Sequence, residues 1–534
     1  MTERELRERF KDWVFRGSAY RMALSVVGFD RNTAAPKGGA EYREKRTAFL
    51  GGELFGILAD PGMEPVLRGM MDLPDPAGSG DEAAAEGGAE GLAMAEFSVE
   101  ELRRMASLCY KEYAESKAVP KEMFVAWQGL LGAAYRKWLE AKTQNDYSIL
   151  APYLQQVIDK AREVIRYTAS AGPDRAGEAS AGPQDLSCYE LMLRKNEPGM
   201  TLEKYDAFFG LVKERLLPLI RRIRALPPVD DSFLFGHFDL DKQRAFSKLL
   251  LSHLGFTPDW GIQGETEHPV TIWVAANDVR TTTHFREESL MSAIFSTIHE
   301  CGHAWYAHDV DPRYEGTALL GGISAAMHES QSRLLENHIG RSAAFWAPLY
   351  PRLQEFFPEA LGAISFDRFM KAVNRVRPTL VRTQADELTY PVHILIRYEL
   401  EKDLFAGRLS AEELPAAWAE KYRDYLGITP ENDRDGVLQD MHWAAGYHGY
   451  FPTYALGSAI AAQIDQRMRE EVDVDGLLRE SRVPEVMAWL REHVHRFGAL
   501  YDTDELLRRA CGADFDPSCY VKYLEEKSRH LFDP

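Results

Sequence analysis

Residues 299–303 of this 534-residue chain read His-Glu-Cys-Gly-His, a spacing typical of a catalytic metal site. On a helix, His299 and His303 lie one turn apart on the same face, so both imidazoles can bind one Zn²⁺. Glu300 lies roughly 100° around the helix axis, where its carboxylate can act as general base on a nearby water. The segment therefore predicts a hydrolytic metal site.

A catalytic zinc usually has three protein ligands and one open position. A second helix is predicted from the Gly321-Gly322 turn to about Ile339, and it carries Glu329. The 26 residues from His303 to Glu329 leave room for a loop and an antiparallel return. Glu329 is therefore the predicted third ligand. The alternatives on the same helix are His328 and Glu336.

The elements that must position these side chains are predicted to be mostly helical. Apolar residues recur at three- and four-residue spacing in long windows such as 100–115 and 202–226. An apolar stripe also runs through the metal segment, and residues 287–289 are assigned to the first turn of its helix. Strand-like sequence is rare. It is clearest over 269–285, where β-branched and aromatic residues on both sides of Ala275–Asp278 predict a short hairpin.

The composition is that of a globular protein, with 45% hydrophobic and 27% charged residues. The formal net charge of −19 disfavours binding to nucleic acid or to an anionic membrane. The opening MTERELRERF lacks the apolar core of a signal peptide, and no apolar run approaches the roughly 20 residues of a membrane span. Five scattered cysteines indicate a reducing compartment rather than a disulfide framework. These features predict a cytoplasmic protein.

Two segments, 73–93 and 168–186, are rich in Pro, Gly and Ala and contain few large apolar side chains. Such segments cannot bury enough apolar surface to offset the entropy of ordering them. Helical patterns resume on both sides of each segment, so both are interpreted as surface insertions. The chain is accordingly predicted to be one catalytic unit over residues 1–534.

Six separated segments resemble the motifs of the carboxypeptidase Taq family of zinc-dependent metallocarboxypeptidases, and they occur in the family's order. The family patterns are HPF, DxRxT, HExxH, HESQ, IRxxAD and GxxQDxHW, with Val replacing Phe in the first and Ile in the fifth. The corresponding segments are His268 to Val270, Asp278 to Thr282, His299 to His303, His328 to Gln331, Val381 to Asp386 and Gly436 to Trp443.

The resemblance implies a mainly α-helical fold, with a large helical body, a deep groove and a small β-sheet beside the metal site. It also implies removal of single C-terminal residues from peptides with broad specificity. One Zn²⁺ per chain is expected, with Co²⁺ able to replace it. The expected partners are peptide substrates with a free C-terminus and a second copy of the chain in a homodimer.

Peptide hydrolysis needs a donor besides the metal to stabilise the oxyanion. His442 and Tyr454 lie twelve residues apart in the Gly- and aromatic-rich segment HWAAGYHGYFPTY. Their layout is similar to that of thimet-oligopeptidase-like zinc peptidases, in which a His and a Tyr at this spacing serve the tetrahedral intermediate. Both residues are therefore predicted to be catalytic, together with Glu300. The neighbouring alternatives are Tyr447, His448 and Tyr450.

An exopeptidase must recognise a free carboxylate, and a planar guanidinium binds one with two parallel hydrogen bonds. The resemblance points to Arg382 as the anchor, with Arg280 as the second candidate. The competing interpretation of Arg382 is an ion pair with Asp386, four residues on. Further predicted substrate-binding residues are Gln439 and Tyr447.

Metal-binding histidines normally donate their second ring N–H to a carboxylate or a carbonyl. The acids considered for this contact are Asp278, Asp386 and Asp440, among which the sequence does not choose. Cys301 is predicted to be a small core residue. The histidines at 493 and 495 are assigned to a solvated helix face.

Three other functions are consistent with parts of this pattern. An oligopeptidase or dipeptidyl carboxypeptidase would use the same zinc core with the carboxylate anchor placed differently. A non-catalytic peptide-binding scaffold would use a structural zinc, and a helical interaction protein would use no metal. Glu300 argues against the zinc scaffold, because a structural site has no need of a general base. Metal analysis of protein purified without chelator would decide on the interaction protein.

Overall fold

The computed structural model describes residues 1–75, 96–169 and 187–532. The predicted surface insertions at 73–93 and 168–186 therefore lie almost wholly outside the described residues. Within the described ranges helices dominate and a single small sheet occurs, which confirms the mainly α-helical prediction. None of the helices in these ranges combines the length and the apolar character that crossing a membrane requires.

The first four helices form a lobe with a hydrophobic core of its own. Phe10 and Trp13 of the first helix share a buried cluster with Leu67 and Met70 of the third and Leu102 of the fourth. The bounds are α1 (Glu3–Thr33), α2 (Ala40–Leu58), α3 (Glu64–Met71) and α4 (Val99–Ala118).

The remaining helices enclose a second, larger core, to which the metal-site helix belongs. Their bounds are α5 (Lys121–Gln144), α6 (Ala151–Ala169), α7 (Cys188–Asn196), α8 (Leu202–Arg224), α9 (Leu240–His253), α10 (Leu290–His308), α11 (Ala325–Arg333), α12 (Ala343–Phe356), α13 (Pro358–Leu361), α14 (Phe366–Val373), α15 (Tyr390–Phe405), α16 (Leu414–Leu426), α17 (Phe451–Glu471), α18 (Val474–Arg479), α19 (Val483–His493), α20 (Thr503–Cys511) and α21 (Ser518–Phe532). The helical patterns predicted over 100–115 and 202–226 are confirmed by α4 and α8. Side-chain caps from Ser98 and Thr201 begin these two helices.

The sheet has three strands in the order β1-β3-β2, namely β1 (Gly261–Glu265), β2 (Thr271–Ala275) and β3 (Asp278–Thr283). The antiparallel pair of β2 and β3 confirms the predicted hairpin. Parallel pairing of β1 with β3 was not predicted. The sequence of β1, GIQGE, contains two glycines and no β-branched alternation, so it carries little strand signal.

The metal-site helix α10 begins at Leu290 rather than at residue 287. The main-chain carbonyls of Glu287 and Glu288 accept hydrogen bonds from the N–H groups of Phe238 and Gly236. These bonds hold the two acidic residues in a turn before the helix. Their assignment to its first turn was therefore wrong.

Two glycines allow three helices to meet at the metal site. An ideal Cβ at Gly302 of α10 would lie 2.5 Å from the carbonyl oxygen of Gln331 in α11. One at Gly457 of α17 would lie 2.7 Å from Cβ of Glu329. The absence of side chains at both positions lets α11 pack between α10 and α17 at backbone distance. This packing brings Glu329 beside the two histidines of α10.

Candidate active site

The predicted ligands on α10 and α11 converge on one point. His299 Nε2 and His303 Nε2 each lie 3.8 Å from Glu329 Oε2, and the possible ligand atoms of the three residues lie within 4.8 Å of one another. Tetrahedral zinc with bonds of about 2.05 Å would separate its ligand atoms by about 3.3 Å. Two imidazole nitrogens and a carboxylate oxygen also suit Zn²⁺ chemically. The three side chains therefore fit a divalent metal ion after a small inward adjustment.

Arg333 determines which oxygen of Glu329 faces the histidines. Its Nε donates to Glu329 Oε1 at 2.6 Å, which leaves Oε2 directed at the two imidazoles. Burial lowers the pKa of His303 well below its ordinary value, so this ring is held in the neutral form that a metal ligand needs. The arrangement favours Glu329 as a monodentate ligand through Oε2.

A second carboxylate reaches the site from the π-helical turn Leu334–Ile339 that follows α11. Glu336 Oε2 lies 2.9 Å from His299 Nδ1. A carboxylate can only accept, so Nδ1 must donate and Nε2 keeps its lone pair for a metal. Burial disfavours protonated His299, but Glu329 and Glu336 together raise its pKa. Glu336 thus orients a ligand and is not itself in the ligand cluster.

His328, the other alternative for the third ligand, is used for packing. Its ring stacks on Trp273 of β2 with centroids 4.7 Å apart and meets the edge of Tyr306 at the same separation. Burial lowers the pKa of His328 to about 4. Its Nε2 is buried and has no hydrogen-bond partner among the described residues. His328 lies outside the cluster formed by His299, His303 and Glu329.

Glu300 is positioned as a buried carboxylate between α10 and the sheet. Its side chain is 6% exposed, and its Oε2 accepts a hydrogen bond of 2.7 Å from Thr271 Oγ1 of β2. Burial raises the pKa of Glu300, while His299 and the Thr271 hydrogen bond oppose the shift. A raised pKa brings a carboxylate closer to the working range of a general base.

Arg382 lies on a short turn and is 8% exposed. Its Nε and Nη2 donate to Asp440 Oδ1 at 3.3 and 3.0 Å, and its Nη1 donates to the Tyr390 hydroxyl at 3.1 Å. Asp440, and not Asp386 of the competing interpretation, is therefore its ion-pair partner. Burial alone would raise the pKa of Asp440, but Arg397 and Arg382 lower it well below its ordinary value.

Arg397 of α15 is fully buried and holds the other oxygen of Asp440, with Nε at 2.8 Å and Nη2 at 2.6 Å. Each of its five N–H groups has an acceptor. The predicted substrate residue Gln439 is also fully engaged, because its Oε1 accepts from Arg382 N and Arg397 Nη2. Its amide donates to the main-chain carbonyls of Leu380, Asp435 and Gly436.

His442 and Tyr454 are brought together, with His442 Nε2 at 3.4 Å from the Tyr454 hydroxyl. Burial lowers the pKa of His442 to about 4 and raises the pKa of Tyr454. Both are therefore neutral near pH 7 and each has a proton to donate. The Arg382 guanidinium lies 5.0 Å from the centre of the Tyr454 ring. Tyr447 is 52% exposed, and its ring centre lies 6.3 Å from that of His442.

Arg280, the second anchor candidate, is held on β3 by Asp278 through two hydrogen bonds of 2.8 Å. Asp386 accepts hydrogen bonds from the main-chain N–H groups of Leu388 and Thr389 at 3.0 Å each. Neither acid contacts a metal-site histidine, and Asp440 is committed to arginines. The prediction that one of these three acids orients a ligand was wrong, because Glu336 makes that contact.

Two smaller predictions have opposite outcomes. Cys301 is fully buried, which confirms it as a core residue, and all five cysteines are free. His495 is 1% exposed and lies between Asp309 Oδ2 at 3.2 Å and Gln331 Oε1 at 2.9 Å. Its assignment to a solvated face was wrong, because the turn after α19 points it into the core.

Known proteins match almost the whole length of the chain. Residues 9–528 match the family model described as carboxypeptidase Taq (M32) metallopeptidase. The chain belongs to this family. It is 36% identical over 527 residues to carboxypeptidase 1 of Bacillus subtilis, covering 98% of each chain. It is 35% identical over 523 residues to thermostable carboxypeptidase 1 of Thermus thermophilus, covering 97% of each. The crystal structure of the M32 carboxypeptidase from Deinococcus radiodurans superimposes with a TM-score of 0.88 at 30% identity, over 99% of both chains.

Family membership makes the protein a metal-dependent carboxypeptidase and implies peptide substrates and a divalent metal ion. Sequence reasoning missed three residues that position the site: Thr271, Tyr390 and Arg397. The partners of Thr271 and Arg397 lie 29 and 43 residues away, so no local spacing marks them. Tyr390 lies eight residues from Arg382, but the chain between them is not a continuous helix, so helical spacing does not mark that contact either. Glu336 carried a usable signal, because it follows Glu329 by seven residues, or two helical turns, and therefore lies on the same face.

Proposed function

We propose that this protein is a zinc carboxypeptidase that removes single C-terminal residues from peptides with broad specificity. One observation carries the proposal. Among the described residues, Arg382 has acceptors for three of its five N–H groups, whereas Arg397 beside it has acceptors for all five. The two remaining N–H groups of Arg382 match the bidentate demand of a peptide's terminal carboxylate.

His299, His303 and Glu329 would hold one Zn²⁺, for which Co²⁺ can substitute. When bound, the metal supplies a Lewis acid that polarises the scissile carbonyl and acidifies a water molecule. Glu300 takes a proton from that water and delivers it to the departing amine nitrogen. Thr271 engages Oε2 of Glu300, so Oε1 is the oxygen that receives the proton.

Tyr454 would donate a hydrogen bond from its hydroxyl to the developing oxyanion. Burial keeps this phenol protonated, and the nearby guanidinium of Arg382 favours negative charge in the same space. His442 lies within reach of the Tyr454 hydroxyl and supplies a second neutral donor. Donors fixed before the reaction stabilise a developing charge without reorganisation.

Arg280, Gln439 and Tyr447 are proposed to assist substrate binding in different ways. Exposed Tyr447 offers a ring to the peptide, and Arg280 is a second cation near the sheet. Gln439 acts through Arg382, since its amide has no free hydrogen-bonding group. We further propose that the enzyme is a homodimer and that it is located in the cytoplasm. Light scattering on the purified protein would test the homodimer.

The test is release of the C-terminal amino acid from an N-blocked dipeptide and from its C-terminal amide. We expect the wild type to cleave only the free acid. Glu300→Gln should lower kcat by about 10²- to 10⁴-fold while bound zinc, measured in parallel, stays at one per chain. Equal cleavage of the amide would instead indicate an oligopeptidase, and zinc without any cleavage would indicate a binding scaffold.

The anchor is tested by Arg382→Met beside Arg280→Met, the same change at the second candidate. Asp440 keeps Arg397 as a partner in the first variant, so no buried carboxylate is left unpaired. We expect Arg382→Met to raise KM for the free acid and to erase the preference for acid over amide. If only Arg280→Met does so, the anchor lies on the sheet and the assignment to Arg382 is wrong.

A further inference from the structure

We infer that Thr271 is a positioning residue for the general base, an assignment that rests on the proposed role of Glu300. Thr271 Oγ1 lies 2.7 Å from Glu300 Oε2 and 3.0 Å from the main-chain oxygen of the same residue. One hydroxyl proton can serve only one acceptor at a time, and a carboxylate is the stronger of the two. Both side chains are buried, so water does not compete for the bond.

The hydroxyl of Thr271 is fixed in place by the sheet. Thr271 begins β2 opposite Thr281 of β3. The residue before it, Val270, forms hydrogen bonds with Thr282 of β3 through both its main-chain N–H and its carbonyl. Val270 N donates to Thr282 Oγ1 at 2.9 Å, and Thr282 N donates to Val270 O at 2.9 Å. Threonine is β-branched, which restricts its first side-chain torsion. The sheet therefore presents a rigid donor to α10.

Glu300 needs such a partner because its own side chain is flexible. It shares α10 with the metal-ligand candidate His299, but three side-chain torsions separate its carboxylate from the helix. A general base must lie within hydrogen-bond reach of the proton that it removes, and an error of about 1 Å is costly. The bond from Thr271 selects one orientation of the carboxylate, with Oε2 engaged and Oε1 left to accept the proton.

A purely structural role makes different predictions, and the chain supplies a matched control. Thr281, opposite Thr271 in the sheet, is 1% exposed, and its Oγ1 has no partner among the described residues. Thr281→Val makes the same isosteric change in the same ladder but removes no hydrogen bond to Glu300. A packing effect of valine in this sheet would appear in both variants.

The experiment measures kcat, KM, bound zinc and Tm for Thr271→Val, Thr271→Ser and Thr281→Val on the N-blocked dipeptide. We expect Thr271→Val to lower kcat by about 10- to 100-fold, part of the full contribution of a general base, with KM and zinc content unchanged. Thr271→Ser, which keeps the hydroxyl, should recover most of kcat. Thr281→Val should retain the kcat of the wild type.

Two results would overturn the inference: wild-type kcat in zinc-loaded Thr271→Val, or equal losses in Thr271→Val and Thr271→Ser. If valine prevents folding, Thr271→Ala against Thr271→Ser isolates the hydroxyl, and equal kcat in that pair has the same meaning. Glu300→Gln is run alongside. Wild-type kcat in that variant would contradict the proposed function itself, whatever the threonine variants show.

Discussion

The metal side and the anchor side of this active site are built in different ways. On the metal side, His299 and His303 belong to one helix and Glu329 to the next, and regular helical spacing aligns them. On the anchor side, Arg382 lies in a short turn and Asp440 in an irregular segment. These two residues are 58 positions apart in the chain.

The two sides also differ in what holds them. Backbone hydrogen bonds within helices and the close packing at Gly302 maintain the metal side, with buried ion pairs of Arg333 to Glu329 and Glu336 in addition. The anchor side depends on charge, because fully buried Arg397 of α15 ties Asp440 to the core. A helical scaffold tolerates the loss of one side chain, whereas a buried charge left alone is costly. Loss of the metal should therefore cost function with little loss of structure, whereas loss of Asp440 should cost both.

Removal of the metal should give the largest functional effect with little structural cost. We expect a chelator to lower activity by about 10³-fold or more, because the Lewis acid contributes several kcal/mol to the transition state. Zn²⁺ or Co²⁺ should restore the wild type but not His303→Ala, and circular dichroism should show an unchanged helical content. His493→Ala, at a histidine outside the site, is the control. Activity that survives complete metal removal would contradict the assignment.

Asp440→Asn should give the largest structural effect. It leaves two buried guanidinium groups without a carboxylate, so we expect the free energy of unfolding to fall by about 3–5 kcal/mol in urea titrations. Zinc content should remain that of the wild type, since Asp440 does not contact the metal cluster. Asp278→Asn breaks a more exposed pair with Arg280, where about 1 kcal/mol or less is expected. Similar losses in the two variants would show that the anchor does not depend on buried charge.

The same contrast explains what could be predicted from the sequence. The metal side could be predicted because helical periodicity places residues three, four or seven apart on one face, as it does for His299 and His303. The hairpin of β2 and β3 was readable from its alternation and its central turn. No rule of local spacing connects Thr271 to Glu300, 29 residues away, or Arg397 to Asp440, 43 residues away. Those contacts follow from the packing of the whole chain.

The resemblance supplied residues on the anchor side but not their partners. It pointed to Arg382, whereas helical spacing alone favoured an ion pair with Asp386. The 3₁₀ turn at residues 382–384 ends that spacing, and Asp386 instead accepts hydrogen bonds from the N–H groups that begin the next helical segment. The ion pair with Asp386 required a continuous helix from residue 382 to residue 386, and the short turn does not provide one.

The pH dependence of stability tests the anchor side through Glu401 of α15. This carboxyl is fully buried and accepts from Trp443 Nε1 at 2.7 Å and Gly449 N at 3.2 Å, at two points of the segment after His442. Burial raises the pKa of Glu401 from 4.5 to about 7. Between these pH values the unfolded chain has released the proton and the folded chain has kept it. Stability therefore falls as pH rises, by about 1.4 kcal/mol per pH unit.

Glu401→Gln cannot ionise, so its disadvantage relative to the wild type should shrink by about 2–3 kcal/mol between pH 5 and pH 7. Urea unfolding at pH 5, 6 and 7 measures the difference. Glu399→Gln is the control, because Lys213 and Lys421 lower the pKa of Glu399 against the effect of burial. Its stabilising contribution is lost only as pH falls, below this window. Parallel curves for Glu401→Gln and the wild type would contradict the prediction.

Glu336→Gln should give the smallest of these effects, and the one most specific for metal binding, namely a lower affinity for zinc. The amide can still accept from His299 Nδ1, but the negative charge that makes the imidazole a better donor to the metal is lost. We expect zinc affinity to fall by about 10- to 100-fold, and competition with a chromophoric chelator measures it. Glu336 also pairs with Arg333 and Arg341, so some loss of stability accompanies the variant, and zinc affinity is measured where the protein is fully folded. Under those conditions kcat at saturating zinc should change little.

Asp465→Asn is the matched control for this variant. His338, on the same π-helical turn as Glu336, forms a similar buried contact with Asp465 of α17, with Nδ1 at 3.1 Å from Oδ2, but His338 is not a metal-ligand candidate. If both variants weaken zinc binding equally, the turn acts through general stability and the contrast between the two sides is weaker than argued. If only Glu336→Gln weakens it, the effect passes through the contacts of Glu336 itself, with His299 and with Arg333, which positions Glu329. A carboxylate two turns from Glu329 then belongs to the metal site in the same sense that Arg397 belongs to the anchor.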